Sequence, residues 1–243
     1  MGLDRSSVVK PNVAANLNAT AGKDLFHNLK ADTTTAVRFL PTTHPRGMLF
    51  YVTSNHFKLL DPNSDDGKKK IAVGCGKEHG QENRCFFCEL TDALKKTGKK
   101  AEKKLADDIK VSVRYNAQVL INEKIGEQWV YSKPKLLGLP GGLSQEISQL
   151  LANMEQYKQA PFNDIEGGQD LLLTRTGAGF QTRYKSDRSG AQTNLDKVAP
   201  GWDADFIEDI YESLGLKVFT YDEQVAIARH TFGDSLDWKA LGL

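Results

Sequence analysis

Cysteine is scarce in this 243-residue chain and unevenly placed: there are three, all between Cys75 and Cys88. An odd, clustered set does not make the paired framework of a secreted disulfide protein and predicts a reducing compartment. Long apolar runs are missing as well. No stretch reaches the roughly 18 uninterrupted apolar residues of a membrane span. The N-terminus, MGLDRSSVVKPNVAANLNATAGKDLF, lacks the apolar centre of a secretory signal. Catalytic signatures are also wanting. There is no G-x-G-x-x-G or Walker loop, no G-x-S-x-G and no H-E-x-x-H. The zinc-deaminase pattern fails too, because no H-x-E exists and Arg84, not proline, precedes Cys85. The chain is therefore predicted not to be an enzyme.

What is present is a concentrated set of metal-ligating residues. Cys85 and Cys88 form a C-x2-C pair, Cys75 lies ten residues upstream, His79 falls between them, and His56 precedes Cys75 by nineteen residues. A C-x2-C knuckle lets two thiolates grip one ion from a tight turn. A third thiolate and one imidazole complete a tetrahedral shell suited to a single structural Zn²⁺. Spacing alone leaves His56 and His79 both open as the fourth ligand. A Cys3His shell has no free coordination position, which argues for a structural rather than a catalytic ion.

The net charge of +1 hides an asymmetry. Residues 199–243 carry nine acidic and three basic side chains, leaving 22 acidic and 29 basic in residues 1–198. A basic body with an acidic C-terminal segment suits a nucleic-acid binder whose acidic part recruits partners or competes with the ligand. Six lysines between Lys95 and Lys104 read mainly as a solvated helix face.

Periodicity predicts strands at Thr35–Leu40, Met48–Thr53, Ile109–Asn122, Trp129–Tyr131, Asp170–Thr176 and Phe180–Lys185, with turns at Pro45–Gly47 and Gly177–Gly179. Helices are expected over Asn16–Leu29, Glu89–Lys104, Ser144–Met154 (Ser144 as N-cap), Asp203–Leu214 and Tyr221–Thr231. The fold class is mainly β with added helices (α+β): an OB-type five-stranded barrel with a zinc-binding subdomain and C-terminal helices. Several strands mix rings with cations. Lys110, Arg114 and Tyr115 share one strand. Trp129, Tyr131 and Lys133 share one parity. Phe180 and Tyr184 alternate with Arg183 and Lys185. Rings for bases and cations for phosphates are what single-stranded DNA requires.

The residues also carry a resemblance. AVRFLP at Ala36–Pro41, NHF at Asn55–Phe57, the Cys75…Cys85-x2-Cys88 spacing, VRYNAQVLI at Val113–Ile121 and PFNDIEGGQDLLLTRTGAGFQTRY at Pro161–Tyr184 resemble the single-stranded DNA-binding proteins of tailed bacteriophages, the T-even helix-destabilising protein family. Composition and charge set off an N-terminal arm at 1–30 and an acidic helical segment at 199–243, and the resemblance implies an OB-fold core at 31–198 with the zinc subdomain inserted at about 54–105. It implies His56 as the fourth zinc ligand and adds Arg38 to the DNA-contacting set. The implied function is sequence-nonspecific binding of single-stranded DNA in phage replication, recombination and repair, in the cytoplasm of the infected bacterial host. The family's long acidic, Ser-rich tail has no counterpart here, and the acidic helices after Ala199 are expected to take over part of its recruitment of replication and recombination proteins; the resemblance also implies further copies of the chain on DNA as partners. The basic N-terminal self-association motif of that family is reduced here to Asp4-Arg5-Ser6-Ser7. From a different class, a zinc-stabilised protein-interaction module of a replication complex is the alternative.

Overall fold

The computed structural model describes residues 25–42, 48–80, 83–207 and 210–243, without the side chains of Phe180 and Glu212. Most of the expected N-terminal arm and its helix, and the turn at Pro45–Gly47, lie outside the described residues. Within the part of Asn16–Leu29 that is described, Leu25 is helical and Phe26–His27 form a short strand (β1).

The architecture is mixed α+β. Eight further strands follow: β2 (Thr33–Phe39), β3 (Tyr51–Leu60), β4 (Lys70–Gly74), β5 (Ser112–Ile125), β6 (Gln128–Tyr131), β7 (Lys135–Leu139), β8 (Gln169–Thr176) and β9 (Arg183–Gln192). They form one nine-stranded sheet with the path β1-β7-β5-β2-β8-β9. β5 is the hub, because its 14 residues extend about 45 Å at ~3.3 Å per residue. One edge of β5 pairs with β3 through Ser112–Asn116 and with β2 through Val119–Asn122. The other edge pairs with β7 through Tyr115–Val119 and with β6 through Asn122–Ile125. The sheet stays open: among the described residues no pairing joins β9 back to β1.

Two cores follow from this. Odd-numbered residues of β5 (Ala117, Val119, Ile121) meet Val37 and Phe39 of β2, Leu137 and Leu139 of β7, and Leu171 and Leu173 of β8. Helix α4 (Gly141–Gln156) covers that core with Leu143, Ile147 and Met154. The second core gathers Leu59 and Val73 from β3 and β4 with three further groups. These are Phe87, Leu90 and Leu94 of α2 (Phe86–Lys96), Ala106 and Ile109 of α3 (Lys100–Ile109), and Ile227 and Ala228 of α7 (Tyr221–Phe232). The short helices α1 (Gly76–His79), α5 (Leu195–Val198), α6 (Ile210–Ser213) and α8 (Trp238–Leu241) complete the set.

Several expected elements shift, each for a local reason. The helix expected over Glu89–Lys104 is two helices, because Gly98 takes a left-handed φ of 77° and ends the first. Ile109 closes α3 instead of opening the long strand. Helix α4 starts three residues before Ser144, whose hydroxyl is buried and donates to the Gly141 carbonyl instead of capping. In the expected helix Asp203–Leu214 only Ile210–Ser213 is helical among the described residues. Phe180 falls in the 3₁₀ turn Gly179–Gln181 that precedes β9, so it is not on the strand.

Candidate functional site

β3 aims the first ligand. In a regular strand His56 and Leu59 would face opposite sides, yet both are fully buried. The β3–β4 ladder slips between them, and Lys58 takes a φ of 63°. This bulge lets both side chains face the second core, while Phe57 and Lys58 turn outward. The other three ligands arrive from two turns. Cys75 directly precedes α1, and its N–H donates to the Ser54 carbonyl on β3 at 2.8 Å. Cys85 caps α2, and Cys88 lies in its first turn. The two turns nearly touch: a Cβ on Gly76 would lie 2.0 Å from the Arg84 carbonyl oxygen. Any side chain there would push the ligand loops apart.

The ligand atoms of His56, Cys75, Cys85 and Cys88 all lie within 4.8 Å of one another. Cys75 Sγ is 3.6 Å from Cys88 Sγ, and His56 Nε2 is 3.3 Å from Cys85 Sγ and 3.7 Å from Cys88 Sγ. Ligands at about 2.3 Å (sulfur) and 2.05 Å (nitrogen) around a tetrahedral ion are separated by roughly 3.8 Å (S···S) and 3.6 Å (S···N). These three separations match to a few tenths of an ångström, and with all four ligand atoms within 4.8 Å the four side chains can hold one metal ion. His56 Nδ1 donates to the Ile109 carbonyl at 2.7 Å, which leaves Nε2 as the ligating nitrogen.

The electrostatics suit a cation. Burial lowers the pKa of His56, but hydrogen bonds with Cys75 and Cys85 and with the Ile109 carbonyl more than offset it, bringing it to about 9. Hydrogen bonds from Cys75 and Cys88 hold the Cys85 thiol far below its ordinary range. The same contacts, with burial and the neighbouring thiolates, push Cys88 far above it. A compact group of thiols sharing protons this way is what a metal ion relieves by displacing them. His79 stands outside the cluster. Its Nε2 accepts the Ser54 N–H at 2.9 Å, and burial holds its pKa low, as an accepting neutral ring requires.

The C-terminal helices complete the housing of this centre. Gln224, 1% exposed, accepts the N–H of Phe86 at 3.0 Å and donates to the Phe219 carbonyl at 2.9 Å. The Gly74 N–H donates to the Lys217 carbonyl at 2.7 Å, and Thr231 accepts the Leu60 N–H at 3.0 Å. The Arg84 guanidinium lies 4.1 Å from the centre of the Tyr221 ring. α7 begins with a reciprocal capping box between Thr220 and Glu223. Sequence reasoning missed this role of residues 217–231. The T-x-x-E cap was a legible helix start, but nothing local points from Gln224 to Phe86.

The residues expected to meet DNA are not all on one surface. Arg38 is fully buried, donates to Thr193 and to the Asp164 carbonyl, and lies 3.9 Å from Asp170. Its guanidinium is consumed inside the protein, so Arg38 is withdrawn from the contact set. Tyr131 donates to Asp170 at 2.9 Å and packs beside Leu40 and Leu120. Burial first, then the Asp170 charge, raise its pKa. Tyr115 and Tyr184 are half-buried against the first core. Trp129 is 65% exposed near the tip of the β5–β6 hairpin, opposite Lys124. Arg114 and Arg183 are exposed. Lys110, Lys133 and Lys185 are exposed and paired with Asp107, Asp205 and Asp187. Strand register sets Thr53 beside Arg114, and Tyr184 and Arg183 opposite Arg175 and Thr176.

Among the described residues no helix is long and apolar enough to cross a membrane. No family model matches the chain, and no curated protein matches it.

Proposed function

We propose that this chain is a sequence-nonspecific single-stranded DNA-binding protein of the T-even helix-destabilising type, stabilised by one structural Zn²⁺ held by His56, Cys75, Cys85 and Cys88. The observation that carries the reading is an exposed ring opposite a cation on the sheet, Trp129 against Lys124, with Arg114 and Arg183 also exposed on β5 and β9. Exposed rings stack bases of any sequence, and cations follow the backbone. The donor set supports zinc: three thiolates and one imidazole at tetrahedral spacing favour a borderline-soft ion without redox chemistry. When bound, the ion cross-links two loops to β3 and adds its binding free energy to folding. Four protein ligands leave no position for substrate, in keeping with a binding protein and not an enzyme.

The OB-type five-stranded core belongs to this proposal; β2, β5, β7 and β8 share the first core, and β3 joins them by pairing with β5. So do the phage context, the host cytoplasm as the site of action, self-association on DNA, and the recruitment of replication proteins by the acidic segment. The interaction-module alternative is favoured by one feature, the exposure of Ile125, Trp129 and Val130 together on the β5–β6 hairpin. Titration of labelled oligo-dT at low and high salt separates the two. The proposed function predicts tight binding that weakens steeply with salt and is much weaker for duplex. Absence of binding, or equal affinity for duplex, would leave the interaction module.

A further inference from the structure

We propose that Phe57, next in sequence to the metal ligand His56, is a base-stacking residue at the junction between the metal-bearing part of the chain and the sheet. Arg114 and Lys110 would serve the adjoining phosphates. The inference rests on the single-stranded DNA reading.

Three observations lead to it. First, Phe57 is 42% exposed, although it sits in the middle of a ten-residue strand whose neighbours His56 and Leu59 are fully buried. Ordinary alternation turns Phe57 away from His56, and the bulge that follows, with a left-handed φ at Lys58, returns Leu59 inward and leaves Phe57 and Lys58 outside. Second, register places Phe57 among cations. Thr53 is level with Arg114 and Asn55 with Ser112, and Asn116 donates to Thr53 across the same face. With a side-chain period of two, Thr53, Asn55 and Phe57 share that face with Ser112 and Arg114. The ladder ends at the Asn55–Ser112 rung; beyond it the hydrogen bond of His56 to the Ile109 carbonyl keeps Lys110, the C-cap of α3, close to this end of β3. The middle of this face is covered: Tyr211 packs on Tyr51, and Ile207 bonds Gln118. At the other end Phe57 is exposed.

Third, the backbone that carries the ring is fixed before any ligand arrives. Its neighbour His56 is fixed through Nδ1 by the Ile109 carbonyl and through Nε2 by the thiol cluster. A ring carried on a fixed backbone leaves only its own two side-chain torsions to be ordered on stacking. The local charge balance is positive. Lys58 and Lys110 each face one aspartate, Asp108 and Asp107, while Arg114 has no ion-pair partner among the described residues. A flat ring beside such cations suits a nucleobase with its phosphate better than an apolar peptide.

The test is the Phe57→Ala protein, titrated with fluorescein-labelled oligo-dT by anisotropy at fixed salt. Phe57→Trp serves as the conservative variant. Because the ring is exposed, both should keep the wild-type metal content and melting temperature. Phe57→Ala should bind about tenfold or more weakly, and Phe57→Trp should bind normally, with tryptophan emission quenched by the oligonucleotide beyond the wild-type change. Wild-type affinity in Phe57→Ala would overturn the inference and leave the function standing. Failure of the wild-type protein to bind oligo-dT would sink both. Weakened binding by Phe57→Ala with no added quenching in Phe57→Trp would overturn stacking, because the loss would then not come from a base on the ring.

Discussion

Replacing Gln224 by alanine should loosen the metal centre from a distance. The side chain is fully enclosed and satisfies two backbone groups, the Phe86 N–H at the start of α2 and the Phe219 carbonyl at 2.9 Å. Truncation strands both in a buried site. An unsatisfied buried group costs about 1–3 kcal/mol, so the pair should cost about 3 kcal/mol. For a domain of this size that is a fall of about 6–12 °C in Tm. The Phe86 amide directly follows Cys85, so the freed turn should also yield its metal to a chelator sooner. Gln224→Met keeps the length and loses the polar atoms, and should fall nearly as far as alanine. Gln224→Glu retains an acceptor for Phe86 but turns a second oxygen toward the Phe219 carbonyl, and should not rescue. Differential scanning calorimetry and a zinc-release assay measure the two effects. An alanine variant with unchanged Tm and unchanged release would refute the coupling of the C-terminal helices to the knuckle.

Elemental analysis should find one zinc per chain, and His56→Ala should lose it while His79→Ala keeps it, because only His56 points into the thiol cluster. Arg38→Ala should destabilise by about 3–5 kcal/mol by leaving Asp170 buried beside an unfilled site. The folded fraction should bind oligo-dT normally; a selective loss of DNA affinity at full stability would return Arg38 to the contact set. Burial lowers the pKa of His79 below its usual 6.5. Below pH 6.5 the unfolded chain therefore takes up a proton that the folded chain refuses, and stability falls with falling pH through that window. His79→Gln should flatten this part of the profile in urea melts from pH 7 to pH 5, and an unchanged slope would assign the acid sensitivity elsewhere.

Some features were legible in the chain because the signal is local. Alternation and β-branched residues marked β5, since a half-buried strand repeats every two residues. The C-x2-C pair marked a knuckle, since two thiolates on one turn are already close. The resemblance selected His56, where spacing left it level with His79. Other features depend on distant contacts. Arg38 and Tyr131 read as surface cation and ring, yet both converge on Asp170, more than a hundred residues from Arg38 in sequence. No pattern around Arg38 announces that partner.

The sequence by itself determined the ligand types, the strand periodicity and the separation of basic from acidic segments, because each is a property of neighbouring residues. Tertiary structure decided the rest. A one-residue bulge in β3 chose which side chains of Asn55–Leu59 face inward, because strand parity changes wherever the ladder slips. The placement of residues 217–231 against Cys75 and Cys85 turned an acidic, tail-like segment into part of the metal housing. Buried backbone groups must find partners, and only the folded chain shows which ones they found.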